Sequence, residues 1–141
     1  MKVLSLLALL CLTLAACHHT NSVSTSRLPS ITSDSIAYKD VSILTLISNP
    51  QAYDKHRVRV IGFTHLEFES DCIYFHKEDY TQRIDKNGLW LDFKTRSSRD
   101  SLLKLTDHYV LVEGVFDSHN LGNDNMNSGC IKQINRLETW P

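Results

Sequence analysis

The sequence carries no excess of positive charge. Fifteen lysines and arginines stand against sixteen aspartates and glutamates, a formal net charge of −1. A balance of that kind argues against a nucleic-acid partner, which demands a basic face, and against a polybasic grip on lipid headgroups. Glycine is scarce, at five residues, and forms no phosphate-cradling loop. None of the four cysteines makes a Cys-x-x-Cys pair, and there is no His-Glu-x-x-His run. No serine sits in a nucleophile elbow, and there are no repeats. The apolar run from Val3 to Ala16 falls short of the roughly 20 residues needed to cross a bilayer, and His18, His19 and Thr20 follow it. These absences predict a protein that is not an enzyme and that uses no cofactor and no metal.

What is there begins at the start of the chain. MKVLSLLALLCLTLAAC places one charge at Lys2, then an apolar stretch, then small residues, then Cys17. That order is a secretion signal and not part of the fold. Leu14-Ala15-Ala16-Cys17 resembles the lipobox of bacterial lipoproteins. The resemblance implies cleavage between Ala16 and Cys17, acylation of the Cys17 thiol and of the new amino terminus, and an anchor in the membrane. Cys11 is the poorer candidate, because Leu10 precedes it where cleavage needs a small side chain. Two or more acyl chains hold a protein on a bilayer firmly, at about 0.8 kcal/mol per buried CH₂. In the lipoproteins of Gram-negative bacteria an aspartate after the cysteine keeps the protein at the inner membrane. Here that position is His18, so the resemblance points to the outer membrane, facing the periplasm.

Three segments follow from this: a signal peptide over 1–16, a lipidated terminus and flexible linker over 17–39, and a folded domain over 40–141. Loss of Lys2 with the signal takes the formal charge to about −2. His18 to Ser35 is rich in Ser, Thr and Asn and has little to bury, so it reads as a leash reaching about 25 Å. His18 and His19 read as solvated linker residues rather than ligands.

In the domain, Asp40 is a fair N-cap for a helical turn through Ile43, Leu44 and Ile47, which Asn49-Pro50 stops. Strand-like runs then cover 57–68, 71–76, 88–94, 108–117 and 129–138, with a helix over 98–105 capped by Ser97 or Ser98. Five strands with a helix between the third and fourth resemble an OB-fold, a small five-stranded Greek-key barrel. The resemblance covers 57–138 and rests on element order. Gly62, in the middle of the long first strand, lets that strand bend and pair on both sides, and Gly114 serves the same curvature in the fourth. Barrels and sandwiches of other topology stay open.

Cys72 and Cys130 remain once Cys11 leaves and Cys17 takes lipid. In an oxidising compartment they are predicted to pair, closing a loop of nearly sixty residues and stapling together the two loops that flank an OB binding face; the competing readings are two buried thiols or part of a metal site. The candidate binding face comprises Trp90, Tyr74, His65 and His119. His65, Glu67 and Glu69 share one strand face, but residues two apart are nearly 7 Å apart and cannot meet one metal without a bend; they read as a solvated face. His76, Glu78 and Asp79 read as the start of a polar loop. Trp90, Tyr74 and Phe75 offer a stacking platform, with at least two of them expected in the core. The Asn-rich stretch from Ser118 to Ser128 reads as an exposed loop.

The expectation for function is a membrane-anchored envelope lipoprotein with a non-catalytic binding domain, for an envelope polymer such as peptidoglycan or for a protein partner. The alternatives are a periplasmic inhibitor of another protein, and a metal-dependent enzyme or metal carrier using His65 and Glu67.

Overall fold

Alternation of apolar and polar residues sets the sheet. In Arg57–Leu66 the even-numbered Val58, Val60, Gly62, Thr64 and Leu66 are buried and point one way, as the two-residue period of a strand requires. The computed structural model describes residues 37–67, 69–94 and 99–141. It contains six strands: β1 (Lys39–Asp40), β2 (Arg57–Leu66), β3 (Asp71–Tyr74), β4 (Gly88–Asp92), β5 (His108–Asp117) and β6 (Cys130–Thr139). Four short helices connect them: α1 (Ile43–Ser48), α2 (Pro50–Tyr53), α3 (Lys77–Thr81) and α4 (Arg99–Leu103). The signal, the lipidation site at Cys17 and most of the linker lie outside the described residues, as do the capping positions Ser97 and Ser98.

The strands run β1-β2-β3-β4-β6-β5, and β5 pairs back onto β2. Five strands therefore close into a barrel, and β1 adds to β2 as a sixth, parallel strand. β4 and β6 are parallel, while β2–β3, β3–β4, β5–β6 and β2–β5 are antiparallel. Inside lie Val58, Val60, Ile73, Leu89, Leu91, Val110, Val112, Phe116 and Ile131. Ile43 and Leu46 of α1 are fully buried against this cluster. The far end of β2 is closed by Thr64, whose hydroxyl donates to the Leu105 carbonyl at 2.6 Å and whose own carbonyl accepts from Asp107 N–H at 2.8 Å.

Gly62 sits where β2 passes between both neighbours. It pairs with Val110 of β5, and from Phe63 onward β2 also pairs with β3. A Cβ there would lie 2.5 Å from the Tyr74 carbonyl oxygen and 2.6 Å from Ile43 Cδ1. The expected sharp passage of the first barrel strand is thus built on an absent side chain. The register of β5 on β6 shifts between Glu113 and Val115, which puts Gly114 at a bulge.

Local details depart from the sequence reading. Ser42, not Asp40, caps α1: its side chain accepts from Leu44 N–H at 3.2 Å. Asp40 lies instead in β1. Pro50 ends α1 and also opens α2 at its first position, where its missing N–H costs nothing. The expected polar loop after β3 contains α3. There Asp79 accepts from His76 N–H at 2.9 Å and from the Asn87 side chain at 2.8 Å, pinning both ends of the connection.

The candidate groove on the barrel face

The outer face of β2 at its C-terminal end carries Phe63 and His65, and α3 lays Tyr80 over both. The Phe63 and Tyr80 ring centroids are 6.1 Å apart, and Tyr109 meets Phe63 edge-on at 5.7 Å. The Tyr80 ring stacks on the His65 imidazole at 4.0 Å. His65 is held by acids from two directions: Nδ1 is 2.8 Å from Asp107 Oδ1, and Nε2 is 2.8 Å from Glu67 Oε1. Burial works against its protonation, but the hydrogen bonds to Glu67 and Asp107 outweigh that, so its pKa lies above the usual imidazole value. The second acid on His65 is Asp107, brought by another connection, and not Glu69. Glu69 uses its backbone carbonyl to accept from the Asn123 side chain at 2.6 Å.

Beside this cluster lies a cavity of about 420 Å³ whose walls include His65, Tyr80, Arg83, Asp85 and Met126. A second cavity of about 210 Å³, with Trp90 and Asn123 in its walls, shares Ser70, Tyr74, Asp85 and Met126 with the first. The two form one groove across β3 and β4. Its surface mixes aromatic rings, the thioether of Met126 (48% exposed), carboxylates and one guanidinium. It can hold an amphipathic ligand by stacking and by charge-assisted hydrogen bonds. A larger recess of about 580 Å³ lies between α4 and β6, with Phe93, Leu102, Leu105, Ile134 and Leu137 in its walls.

The predicted disulfide is absent: Cys72 and Cys130 are both free thiols and both buried. The reason is strand order. Cys72 pairs across β3–β4 with Trp90, and Trp90 pairs across β4–β6 with Cys130. The cysteines are therefore two strand spacings apart, about 10 Å, with β4 between them. A disulfide needs Cα atoms within about 7 Å. Burial pushes both thiols up, Cys130 to about 12. The stapling of the two flanking loops is real but is made by amides. Asn123 donates to Glu69, and Asn127, only 3% exposed, packs against Cys72 with its side-chain nitrogen 3.5 Å from the sulfur.

The Asn-rich segment is accordingly no free loop. Ser128 N–H donates to the Gly88 carbonyl at 3.1 Å, and Lys86 Nζ donates to the carbonyls of Asn125 and Asn127 at 2.7 and 3.0 Å. Gly122, at φ 72, crosses Trp90 so closely that a Cβ would lie 2.9 Å from the indole. That contact half-buries Trp90. Tyr74 is buried, with its hydroxyl 3.2 Å from Asp85 Oδ1 and its pKa raised chiefly by that burial. Phe75 packs against the core. The three aromatics do not make an open platform; Tyr74 and Trp90 floor the groove.

Of the predicted face, His65, Tyr74 and Trp90 converge on this groove, and His119 does not. His119 follows the end of β5 and lines neither cavity of the groove; it is exposed and 3.6 Å from Asp54 Oδ1. Asp54, Asp117 and His119 bring one ligand atom each within 4.8 Å of one another. Asp54 Oδ1 and both oxygens of Asp117 are already in hydrogen bonds or ion pairs. Asp54 accepts from the Ser118 amide and hydroxyl at 2.9 and 3.0 Å, and Asp117 takes Lys132 at 2.5 Å. Ser118 holds the Asp54 carboxyl below its usual range, and Lys132 does the same for Asp117.

Tyr80, Arg83, Asp85 and Lys86 were not singled out by sequence reasoning. The Glu-Asp pair at the start of α3, three residues from His76, was the available signal, since acidic residues favour a helix's first turn. Compared with known protein families and with curated proteins, the chain matches none.

Proposed function

We propose that the chain is a lipid-anchored lipoprotein of the bacterial envelope, acylated at Cys17, held at the outer membrane facing the periplasm, and carrying an OB-like domain that binds without catalysis. The OB-like assignment is supported by a closed five-strand barrel in the order β2-β3-β4-β6-β5 and by α4 falling in the chain between the third and fourth barrel strands. The ligand is an envelope polymer or a protein partner.

The observation that carries the binding reading is the groove of His65, Tyr74, Tyr80, Arg83, Asp85 and Met126. It lies between the first and last barrel loops, where barrels of this kind take their ligands. The lipoprotein reading stands on Leu14-Ala15-Ala16-Cys17 and the leader before it. The test is co-sedimentation of the full mature chain with purified peptidoglycan sacculi, alongside photo-crosslinking in intact cells from a probe at Met126. Wild type is expected to be retained by one of these targets. Arg83→Glu, an exposed change on the groove wall, is expected to lose about tenfold in retention. Equal retention of variant and wild type would remove the groove from the function.

A further inference from the structure

One groove of this domain has cations as its only charged walls, which the near-neutral net charge hides. The groove above has Glu67 and Asp85 in its walls beside Arg83, with Asp107 hydrogen-bonded to His65. Arg57 stands eight residues before His65 on β2, about 26 Å away at the rise of a strand. Around Arg57 is a second groove of about 640 Å³, lined by Lys39, Lys55, His56, Arg57 and Lys132 with no carboxylate among its walls. Lys55 is 82% exposed and 3.9 Å from Asp54, so its charge is largely unspent. Its backbone is fixed at φ 61 by donation of its N–H to the Phe116 carbonyl at 2.8 Å. Lys39 rests over the Tyr53 ring at 5.8 Å, and Arg57 has no acidic partner among the described residues. Lys132 is the one cation of the group in a close ion pair, with Asp117.

We propose that this groove binds the phosphates of anionic phospholipid headgroups in the bilayer to which the chain is anchored. The proposal rests on the anchoring reading above. Its second support is position. Ala37, the first described residue, is part of the groove wall. Cys17 lies twenty residues earlier in the sequence. The groove is therefore the part of the domain covalently nearest the lipid. A phosphate surface tethered through so few residues is present at high effective concentration, so four lysines and arginines suffice where a free protein would need more. The near-neutral composition averages over the whole chain and does not show that one groove has only cations as its charged walls.

The experiment uses the full lipidated chain in vesicles. Lysine acetylation is read residue by residue by mass spectrometry, in phosphatidylcholine alone and with about 30 mol % phosphatidylglycerol. In the anionic vesicles Lys39, Lys55 and Lys132 are expected to label about threefold more slowly, while Lys77, in α3 beside the other groove, stays unchanged. The protection is expected to vanish at about 0.5 M salt and in the Lys55→Glu, Arg57→Glu double variant, read at Lys39 and Lys132. Both substitutions are on exposed side chains, and circular dichroism checks the fold. Equal labelling in the two vesicle types would overturn the proposal. So would equal protection by soluble glycerophosphoglycerol over zwitterionic vesicles, which would assign the site to a free phosphodiester. The intact mass of the same sample reports acylation of Cys17 and so tests the anchoring reading separately.

Discussion

His65 carries more of the local electrostatics than any other single residue on the groove side. Its pKa is raised, so the sign of its contribution follows directly. The stabilisation is fully present below the unfolded imidazole pKa and is lost as pH rises through the higher folded value. Glu67 and Asp107 are 62% and 57% exposed, so water screens both pairs and the whole effect is about 1 kcal/mol. Urea denaturation of His65→Gln against wild type should show the largest gap near pH 6 and a smaller one at pH 9. A gap independent of pH would mean the ring acts only by stacking on Tyr80. The sequence placed His65 and Glu67 on one face because strand alternation is local. Asp107 was beyond reach, since it arrives from the turn before β5, more than forty residues away.

At the scale of the strand, an ionic ladder crosses the outer face of the sheet. Asp40 of β1, Arg59 of β2, Glu113 of β5 and Arg136 of β6 stand in register, and Arg136 also pairs with Glu138. Glu113 is the centre: one carboxylate oxygen meets Arg59 at 2.7 Å and Arg136 at 3.2 Å. Its side chain is 9% exposed, whereas the two arginines keep 35% and 43%. Replacing Glu113 by Gln leaves two guanidiniums facing each other over a partly buried site. The expected cost is about 2 kcal/mol, less than for a fully buried pair because water reaches both arginines. A urea midpoint measurement checks it, and Asp40→Asn, at the exposed end of the ladder, should cost far less. The strand carrying Glu113 was legible as the most apolar run, HYVLVEGVFD, and its bounds match the sequence reading. The role of its single glutamate was not, because a cross-strand partner is set by register, which no local pattern encodes. α3 was missed for a related reason. KEDYT has one apolar anchor, Tyr80, and that anchor has meaning only once Phe63 and His65 are beneath it.

For the whole molecule, the cysteine pair shows where reading by elimination stops. Two cysteines left over in a domain predicted to be exported suggest a bond, but bonding requires adjacency, and adjacency is a property of topology. With β4 inserted between β3 and β6, Cys72 and Cys130 face the same strand from opposite sides. Thermal unfolding of the mature chain should therefore give the same Tm with and without reductant, within about 1 °C. A bond closing so long a loop would contribute about 4 kcal/mol, a shift of roughly 15 °C or more in a domain of this size. Alkylation should label Cys72 and Cys130 readily in denaturant and slowly in the native protein, where burial suppresses the thiolate. A reductant-sensitive Tm would contradict the strand order itself.

That order has a consequence for assembly. β6 joins β4 on one side and β5 on the other, and β4 and β5 are not paired with each other. Every strand from β2 to β5 can be in place and the sheet would still be open, with two raw edges. Closure waits for Cys130–Thr139, so ring formation is an all-or-nothing event driven by contacts far apart along the chain, a topology that folds slowly and punishes truncation. The last strand is the keystone of the arch, and a chain stopped before it would present β4 and β5 as open templates for its neighbours.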